Sequence, residues 1–228
     1  MTVEEAVESL RNGRPVLIYD SASRESEVDL VYHASSVGPD AIYSLRTRAG
    51  GLICFATRWS IARGLGLVWG DELIASVPEL RPLAMRRLGY GDRPAFTVWV
   101  NHVSVRTGIS DEDRAKTVRE LYNVVLTYVR GDVDSAKRKF MEEFQAPGHV
   151  PVLASRGLSL RRGHTELSIA LTALAGIEPA VVFAEMLDYG TSLSLPKAVE
   201  LSKAWGFPLV SGDEIIEACR GREVCWSD

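Results

Sequence analysis

Short apolar runs alternate with segments of helical periodicity along nearly the whole of this 228-residue chain. Each run is bounded by Gly, Pro or charged residues, which is typical of strands. Strands are predicted at residues 15–19, 29–35, 52–56, 96–105, 147–153, 180–184 and 207–210. Strands interleaved with helices indicate an α/β chain, in which helices cover both faces of a mixed sheet. We therefore expect a single domain that spans residues 1–228.

Capping signals mark several helices between those strands. Thr2 opens a capping box before an apolar stripe that stops at Gly13, and Ser110 caps a long helix with Asp113 at its third position. A further helix is expected to open within residues 161–166 and to end at Gly176. Other helices are predicted at residues 39–48, 60–63, 133–144, 196–205 and 213–219.

The composition excludes several classes of protein. Hydrophobic residues make up 46% of the chain, and its formal net charge of −4 argues against general nucleic-acid binding. Cys54, Cys219 and Cys225 form no C-x-x-C pair, so neither a disulfide framework nor a cysteine zinc site is expected. The longest uncharged apolar stretch, residues 167–177, falls short of the ~18 residues that span a bilayer. Because the N-terminus is acidic, no targeting peptide is expected, and we predict a cytoplasmic protein with no membrane partner.

An acidic segment, Arg24-Glu25-Ser26-Glu27-Val28-Asp29, lies between two apolar runs and follows Asp20. In an extended strand the alternate residues Glu25, Glu27 and Asp29 would point the same way. Carboxylates packed that closely repel one another unless a cation, a shared proton or a substrate holds them together. A solvated acidic turn is the alternative, but the flanking apolar runs favour a functional site.

Two of the four histidines follow glycine, in Gly148-His149 and Gly163-His164. Glycine lets the backbone approach a ligand closely, although a lone histidine is often only a hydrogen-bonded core or surface residue. Glu185 ends the apolar run 180–184, where a carboxylate needs a partner or a ligand. Each of these three side chains is therefore a candidate for acid–base chemistry.

Two helix starts carry groups that suit an oxyanion. Arg161-Arg162-Gly163-His164-Thr165 combines guanidiniums, a hydroxyl and free backbone N–H groups, and Arg106-Thr107-Gly108 precedes the cap at Ser110. Together with the acidic segment, they suggest a phosphorylated polyol held with Mg²⁺.

The segment 69–94 is basic and is punctuated by Pro and Gly. Its cations are Arg81, Arg86, Arg87 and Arg93. It could be a mobile loop over an anionic ligand or simply an exposed connection, and the sequence leaves both open.

Four motifs occur in the order and spacing of one family. They are Arg24-Glu25-x-Glu27-x-Asp29, Arg106-Thr107-Gly108-Ile109-Ser110 followed by Asp113-Arg114, Pro147-Gly148-His149-Val150, and Arg162-Gly163-His164-Thr165-Glu166. On these motifs the chain resembles the 3,4-dihydroxy-2-butanone 4-phosphate synthase family of riboflavin biosynthesis, from Val3 to about Ile216.

The resemblance implies conversion of D-ribulose 5-phosphate to 3,4-dihydroxy-2-butanone 4-phosphate and formate, with Mg²⁺ or Mn²⁺ and no organic cofactor. It also implies a three-layer α/β/α sandwich and a homodimer with active sites at the subunit interface. Two rival functions remain open. One is another Mg²⁺-dependent sugar-phosphate isomerase or aldolase, and the other is a nucleotide- or RNA-binding module on a related scaffold.

The resemblance also assigns roles to residues. It implies that Glu25 and His164 are metal ligands and that His149 and Glu185 are essential for proton transfers, with Asp20 and Glu27 as the remaining acidic positions. The implied substrate contacts are Arg24, Glu25, Asp29, Thr107, Arg161, Arg162, Gly163, His164, Thr165 and Glu185.

Some positions depart from the bacterial pattern. Val28 stands where glycine is usual, Ser21-Ala22-Ser23 replaces a more acidic run, and Arg106 replaces a threonine. The departures resemble those of archaeal members and bear on the conformation of the acidic segment more than on its chemistry. Some members carry a fused C-terminal GTP cyclohydrolase II-like domain with cysteine zinc ligands. The chain has neither, so a monofunctional form is expected.

Overall fold

Seven strands form one mixed sheet in the computed structural model of the chain, which describes residues 2–86 and 89–226. These strands are β1 (Val16–Tyr19), β2 (Val28–His33), β3 (Cys54–Arg58), β4 (Phe96–His102), β5 (Phe144–Ser155), β6 (Ala180–Glu185) and β9 (Leu209–Ser211). A separate hairpin is made by β7 (Leu187–Asp188) and β8 (Thr191–Ser192).

The spatial order of the sheet is β4-β5-β3-β6-β2-β1-β9. The pairs β3–β5 and β1–β9 are parallel, and the other neighbours are antiparallel. This confirms the predicted mixed sheet. Because β2 and β6 pair with Asp29 opposite Glu185, two acidic residues from distant parts of the chain become neighbours.

Helices cover both faces of the sheet, as predicted. They are α1 (Val3–Arg11), α2 (Pro39–Ser44), α3 (Trp59–Gly64), α4 (Gly70–Ala75), α5 (Arg81–Ala84), α6 (Asp111–Val129), α7 (Val133–Glu143), α8 (His164–Ala175), α9 (Leu195–Trp205), α10 (Gly212–Ala218) and α11 (Glu223–Trp226).

Side chains that alternate along the strands belong to two separate buried cores. Leu17 and Val182 belong to a core that includes residues of α2, α6 and α9, whereas Ile18 and Val181 belong to one that includes residues of α1 and α8. Successive side chains of a strand point to opposite faces, so two cores require three layers. The α/β/α sandwich is thereby confirmed.

Several boundaries differ from the sequence prediction. β5 begins at Phe144 rather than after Pro147, because β4 pairs with Phe144 and Gln145 before the register shifts. Pro147 lies within this irregularity, where it interrupts no regular ladder. The segment expected to be a loop contains α4 and α5. Across residues 2–86 and 89–226, no helix has both the length and the apolar character needed to cross a membrane.

Candidate active site

Asp20 organises the turn that carries the acidic segment. Its side chain is buried, Oδ2 accepts a hydrogen bond from the backbone N–H of Glu25 at 3.0 Å, and Oδ1 accepts one from Glu27 at 3.1 Å. Between them Ser26 adopts a left-handed conformation with φ of 56°. The alternation of an extended strand therefore does not apply at Glu25, since β2 begins at Val28, one residue before the predicted start at Asp29.

The turn nevertheless directs its carboxylates into one cavity of about 350 Å³. The cavity is lined by residues 25, 27, 29, 54, 90, 94–96, 153, 161, 164, 165, 183 and 185. Glu25, Glu27 and Asp29 thus meet as the sequence predicted, and Glu185 joins them. The turn, rather than strand alternation, brings Glu25 to the others.

His164 lies at the first position of α8 and is buried against the carboxylates. Its Nδ1 lies 3.4 Å from Glu25 Oε2 and 3.6 Å from Asp29 Oδ2. Its Nε2 lies 3.2 Å from the carbonyl oxygen of Glu27 and donates to it. Because that bond fixes the proton on Nε2 in the neutral ring, Nδ1 is the nitrogen left to face a ligand.

Burial and mutual charge separate the pKa values of these groups. Burial raises the pKa of Asp29 to about 8, with His164 opposing the shift and the neighbouring Glu185 and Glu25 adding to it. Burial alone would raise the pKa of Glu25, but hydrogen bonds from His164 and Tyr90 lower it to about 2. Burial alone would lower the pKa of His164, yet Asp29 and Glu25 raise it to about 9.

The residues fit a divalent cation. Asp20, Glu25 and His164 offer ligand atoms that all lie within 4.8 Å of one another. Both oxygens of Asp20 already accept backbone hydrogen bonds, which leaves Glu25 and His164 as the better-placed ligands. Asp29 Oδ1 is buried without a hydrogen-bond partner among the described residues. An oxygen-rich set with one imidazole suits Mg²⁺ or Mn²⁺.

Two arginines lie beside the carboxylates. Arg161 is 9% exposed, and its Nε has no hydrogen-bond partner among residues 2–86 and 89–226. The same holds for Nε and Nη2 of Arg24. A Cβ on Gly163 would lie 2.4 Å from Arg161 Nη1 and 2.8 Å from Arg24 Nη2, so a larger residue there would push the two guanidiniums from their present positions. Thr165, also buried, completes this side of the cavity.

Each of the two predicted anion sites at helix starts already holds a carboxylate of its own helix. At α6, Asp113 accepts from the N–H of Gly108 at 2.8 Å and from Thr107 at 3.1 Å. At α8, Glu166 accepts from Gly163 at 3.3 Å. These capping acids take N–H groups that the sequence analysis assigned to a substrate oxyanion.

Six predicted site residues lie outside the cavity lining, namely Asp20, Arg24, Thr107, His149, Arg162 and Gly163. Arg162 is exposed and faces a second cavity on the other side of the Asp20 turn. Thr107 is exposed, and so is His149, whose backbone N–H donates to Asn101 Oδ1 at 2.8 Å. His149 precedes the β5 residues that pair with β3, so it lies at the same end of the sheet as Glu185.

The 89–94 segment adds two residues to the site that no sequence pattern marks. Tyr90 donates a hydrogen bond to Glu25, and Asp92 forms an ion pair with Arg24. The segment reaches the site, as the interpretation of a loop over the ligand predicted. It contributes a phenol and a carboxylate there instead of arginines. Arg93 instead pairs with Asp71 at 2.7 Å.

The other predicted cations of that segment lie elsewhere. Arg81 donates to a backbone carbonyl at 3.4 Å, Arg86 is exposed, and Arg87 lies outside the described residues. Ser192, which donates to Glu27, was also missed, and no local pattern marks it because 165 residues separate the two.

An α/β sandwich with a cluster of carboxylates and an imidazole at one end of its sheet defines an enzyme with a divalent-metal site. The family model for 3,4-dihydroxy-2-butanone 4-phosphate synthase matches residues 4–218. The chain belongs to the 3,4-dihydroxy-2-butanone 4-phosphate synthase family.

Known relatives agree with this assignment. The chain is 42% identical to the 3,4-dihydroxy-2-butanone 4-phosphate synthase of Archaeoglobus fulgidus, over 97% of this chain and 95% of the relative. It is 36% identical to that of Methanothermobacter thermautotrophicus, over 95% of each chain. A solved 3,4-dihydroxy-2-butanone 4-phosphate synthase in complex with two magnesium ions matches with a TM-score of 0.76 and 26% identity, over 98% of this chain and 99% of that one.

Proposed function

We propose that the chain converts D-ribulose 5-phosphate to 3,4-dihydroxy-2-butanone 4-phosphate and formate. One observation carries the proposal. His164 Nδ1 lies 3.4 Å from Glu25 and 3.6 Å from Asp29, inside the cavity that also holds buried Arg161. A metal site and a cation for phosphate thus share one cavity, as a phosphorylated sugar requires.

Glu25 and His164 are the proposed ligands of Mg²⁺ or Mn²⁺. A bound divalent ion would polarise a substrate carbonyl and acidify the adjacent C–H. The printed title of a solved relative names two magnesium ions, which supports a divalent ion at this kind of site. The proposed reaction uses no organic cofactor.

Carboxylates with different pKa values supply the proton transfers. Burial raises the pKa of Asp29 to about 8, which favours its protonated form as a donor, whereas hydrogen bonds lower the pKa of Glu25 to about 2 and favour its ionised form. Glu185 lies opposite Asp29, and burial raises its pKa too. We propose Glu185 and Glu27 as the acid–base groups beside Asp29, and Asp20 as the residue that positions the turn.

Arg24, Arg161 and Thr165 are the proposed contacts of the substrate phosphate. Guanidiniums match phosphate geometry through paired N–H donors, and three of their buried nitrogens have no hydrogen-bond partner among the described residues. Gly163 contributes by its lack of a side chain, since it admits both guanidiniums.

We also propose a homodimer with active sites at the interface. His149 and Thr107 are exposed, so a partner subunit could receive them in its cavity. Leu52 and Leu187 are exposed apolar residues beside Glu185 and the β7–β8 hairpin, which suits a surface that pairs with a second copy. We further propose that residues 1–228 form one domain and act in the cytoplasm without nucleic-acid or membrane partners.

The test is formate release from ribulose 5-phosphate by purified protein with Mg²⁺. We expect formate and a four-carbon phosphate in equal amounts, and no turnover after chelation. The matched control to Glu25→Gln is Glu72→Gln, an exposed carboxylate outside the cavity lining. A product without formate would indicate an isomerase or aldolase and would refute the proposal.

A further inference from the structure

Asp92 places a carboxylate beside the two arginines of the site. It forms an ion pair with Arg24, and its Oδ2 lies 3.9 Å from Arg161 Nε. That nitrogen is buried and has no hydrogen-bond partner among the described residues. Asp92 lies in the segment that precedes β4, and 68 residues separate it from Arg24 in the sequence. A built-in anion therefore lies against both arginines, of which Arg161 lines the cavity.

Tyr90 fixes the segment that carries Asp92. Its hydroxyl donates to Glu25, and the Arg24 guanidinium lies 4.7 Å from the centre of its ring. A cation over an aromatic face is attracted to it, so Arg24 is bound by both residues of the segment. The contacts of Tyr90 and Asp92 thus converge on the same guanidinium.

We infer that Asp92 occupies the phosphate subsite of the free protein and competes with the substrate phosphate for Arg24 and Arg161. The inference rests on the proposed function, which places phosphate at these arginines. Phosphate binding is then an exchange of one anion for another. Asp92 acts as a specificity-determining residue, because a ligand without a strong anion cannot displace it.

When an internal anion competes, only the fraction of protein with a free subsite binds phosphate. The apparent dissociation constant is then the intrinsic one divided by that fraction. Asp92→Asn removes the charge and keeps the shape, so both arginines lose one counterion that an external anion could replace. Arg24 keeps Asp20 and Glu25, and Arg161 keeps Glu166. A hydrogen bond between charged groups of this kind corresponds to about a tenfold change in the dissociation constant of phosphate. Tyr90→Phe loosens the same segment and should tighten phosphate binding in the same direction, by a smaller factor.

The experiment is calorimetric titration of inorganic phosphate into the full chain at fixed Mg²⁺. Asp92→Asn is compared with the wild type and with Glu79→Gln. The second variant removes the same charge from an exposed residue of the segment 69–94. We expect about tenfold tighter binding for Asp92→Asn and no change for Glu79→Gln.

Three results would overturn the inference. Equal or weaker phosphate binding by Asp92→Asn would show that the carboxylate orients the arginines or does nothing, and would leave the proposed subsite intact. If Glu79→Gln tightened phosphate binding equally, the effect would come from the net charge of the protein rather than from the position of Asp92. Failure of wild type and Asp92→Asn alike to bind phosphate would refute the subsite and the inference together. Formate release reports separately on the proposed reaction.

Discussion

Glu166 is predicted to couple the stability of the fold to the site. Its side chain is fully buried, and its Oε2 lies 2.5 Å from Arg161 Nη1. It also accepts backbone hydrogen bonds from Arg156 at 2.9 Å and Gly163 at 3.3 Å. Glu166→Gln keeps the shape and one amide oxygen but leaves the buried guanidinium of Arg161 without its nearest counterion.

Removal of one partner from a buried ion pair costs about 3–5 kcal/mol. Arg161 retains weaker partners, with Glu25 and Asp92 each 3.9 Å away, so the lower end of that range applies. We expect a loss of about 3 kcal/mol in the free energy of unfolding. For a chain of this length, that corresponds to a fall of about 6–12 °C in Tm.

The assay is urea unfolding followed by circular dichroism, with a constant m-value as the check on two-state behaviour. The control is Glu217→Gln, which breaks an exposed ion pair with Arg220 and should cost no more than about 0.5 kcal/mol. Equal losses for the two variants would refute the claim that burial makes the Glu166–Arg161 pair important.

Three further predictions concern the site. Glu25→Gln and His164→Ala should each abolish metal-supported turnover while the fold is retained. Calorimetric Mg²⁺ binding tests the metal site, and circular dichroism tests the fold. Near-normal Mg²⁺ affinity in either variant would refute the ligand assignment. Glu185→Gln and His149→Ala should lower kcat by roughly 10²-fold with little change in KM. If a fall in Tm accounted for all of the lost activity, the role of Glu185 and His149 would be structural. Gly51→Ala should reduce kcat, because its Cβ would lie 2.2 Å from Glu185 Oε2 and displace that carboxylate; an unchanged kcat would contradict this.

The parts of the fold that depend on local patterns could be predicted from the sequence. Apolar runs and caps gave the strands and most helices within a few residues, because a strand or helix start depends on neighbours in the chain. Val28, which departs from the bacterial pattern, is a buried strand residue paired with Tyr19, so the departure leaves an ordinary extended backbone there. The left-handed residue of the turn is Ser26, which no pattern marked.

The rest of the site depends on contacts between distant segments. Tyr90 lies 65 residues from Glu25, and Asp92 lies 68 from Arg24, so periodicity could not reveal either contact. The role of Glu166 was missed for a different reason. Its motif was recognised, but the sequence could not show that its carboxylate would accept a hydrogen bond from the backbone N–H of Gly163.

The sheet register explains why the proposed chemistry is concentrated at one end of the molecule. The turn after β1, the end of β6 and the start of α8 meet there, and each contributes acidic or imidazole groups. Asp29 is buried inside a strand, where its ionisation is unfavourable, whereas Glu25 lies in a turn and receives hydrogen bonds from His164 and Tyr90. Burial at Asp29 and hydrogen bonds at Glu25 therefore shift the pKa values of two carboxylates four residues apart in opposite directions. The proposed reaction, with its several proton transfers, needs a donor and an acceptor that coexist, and this difference in pKa suits that need.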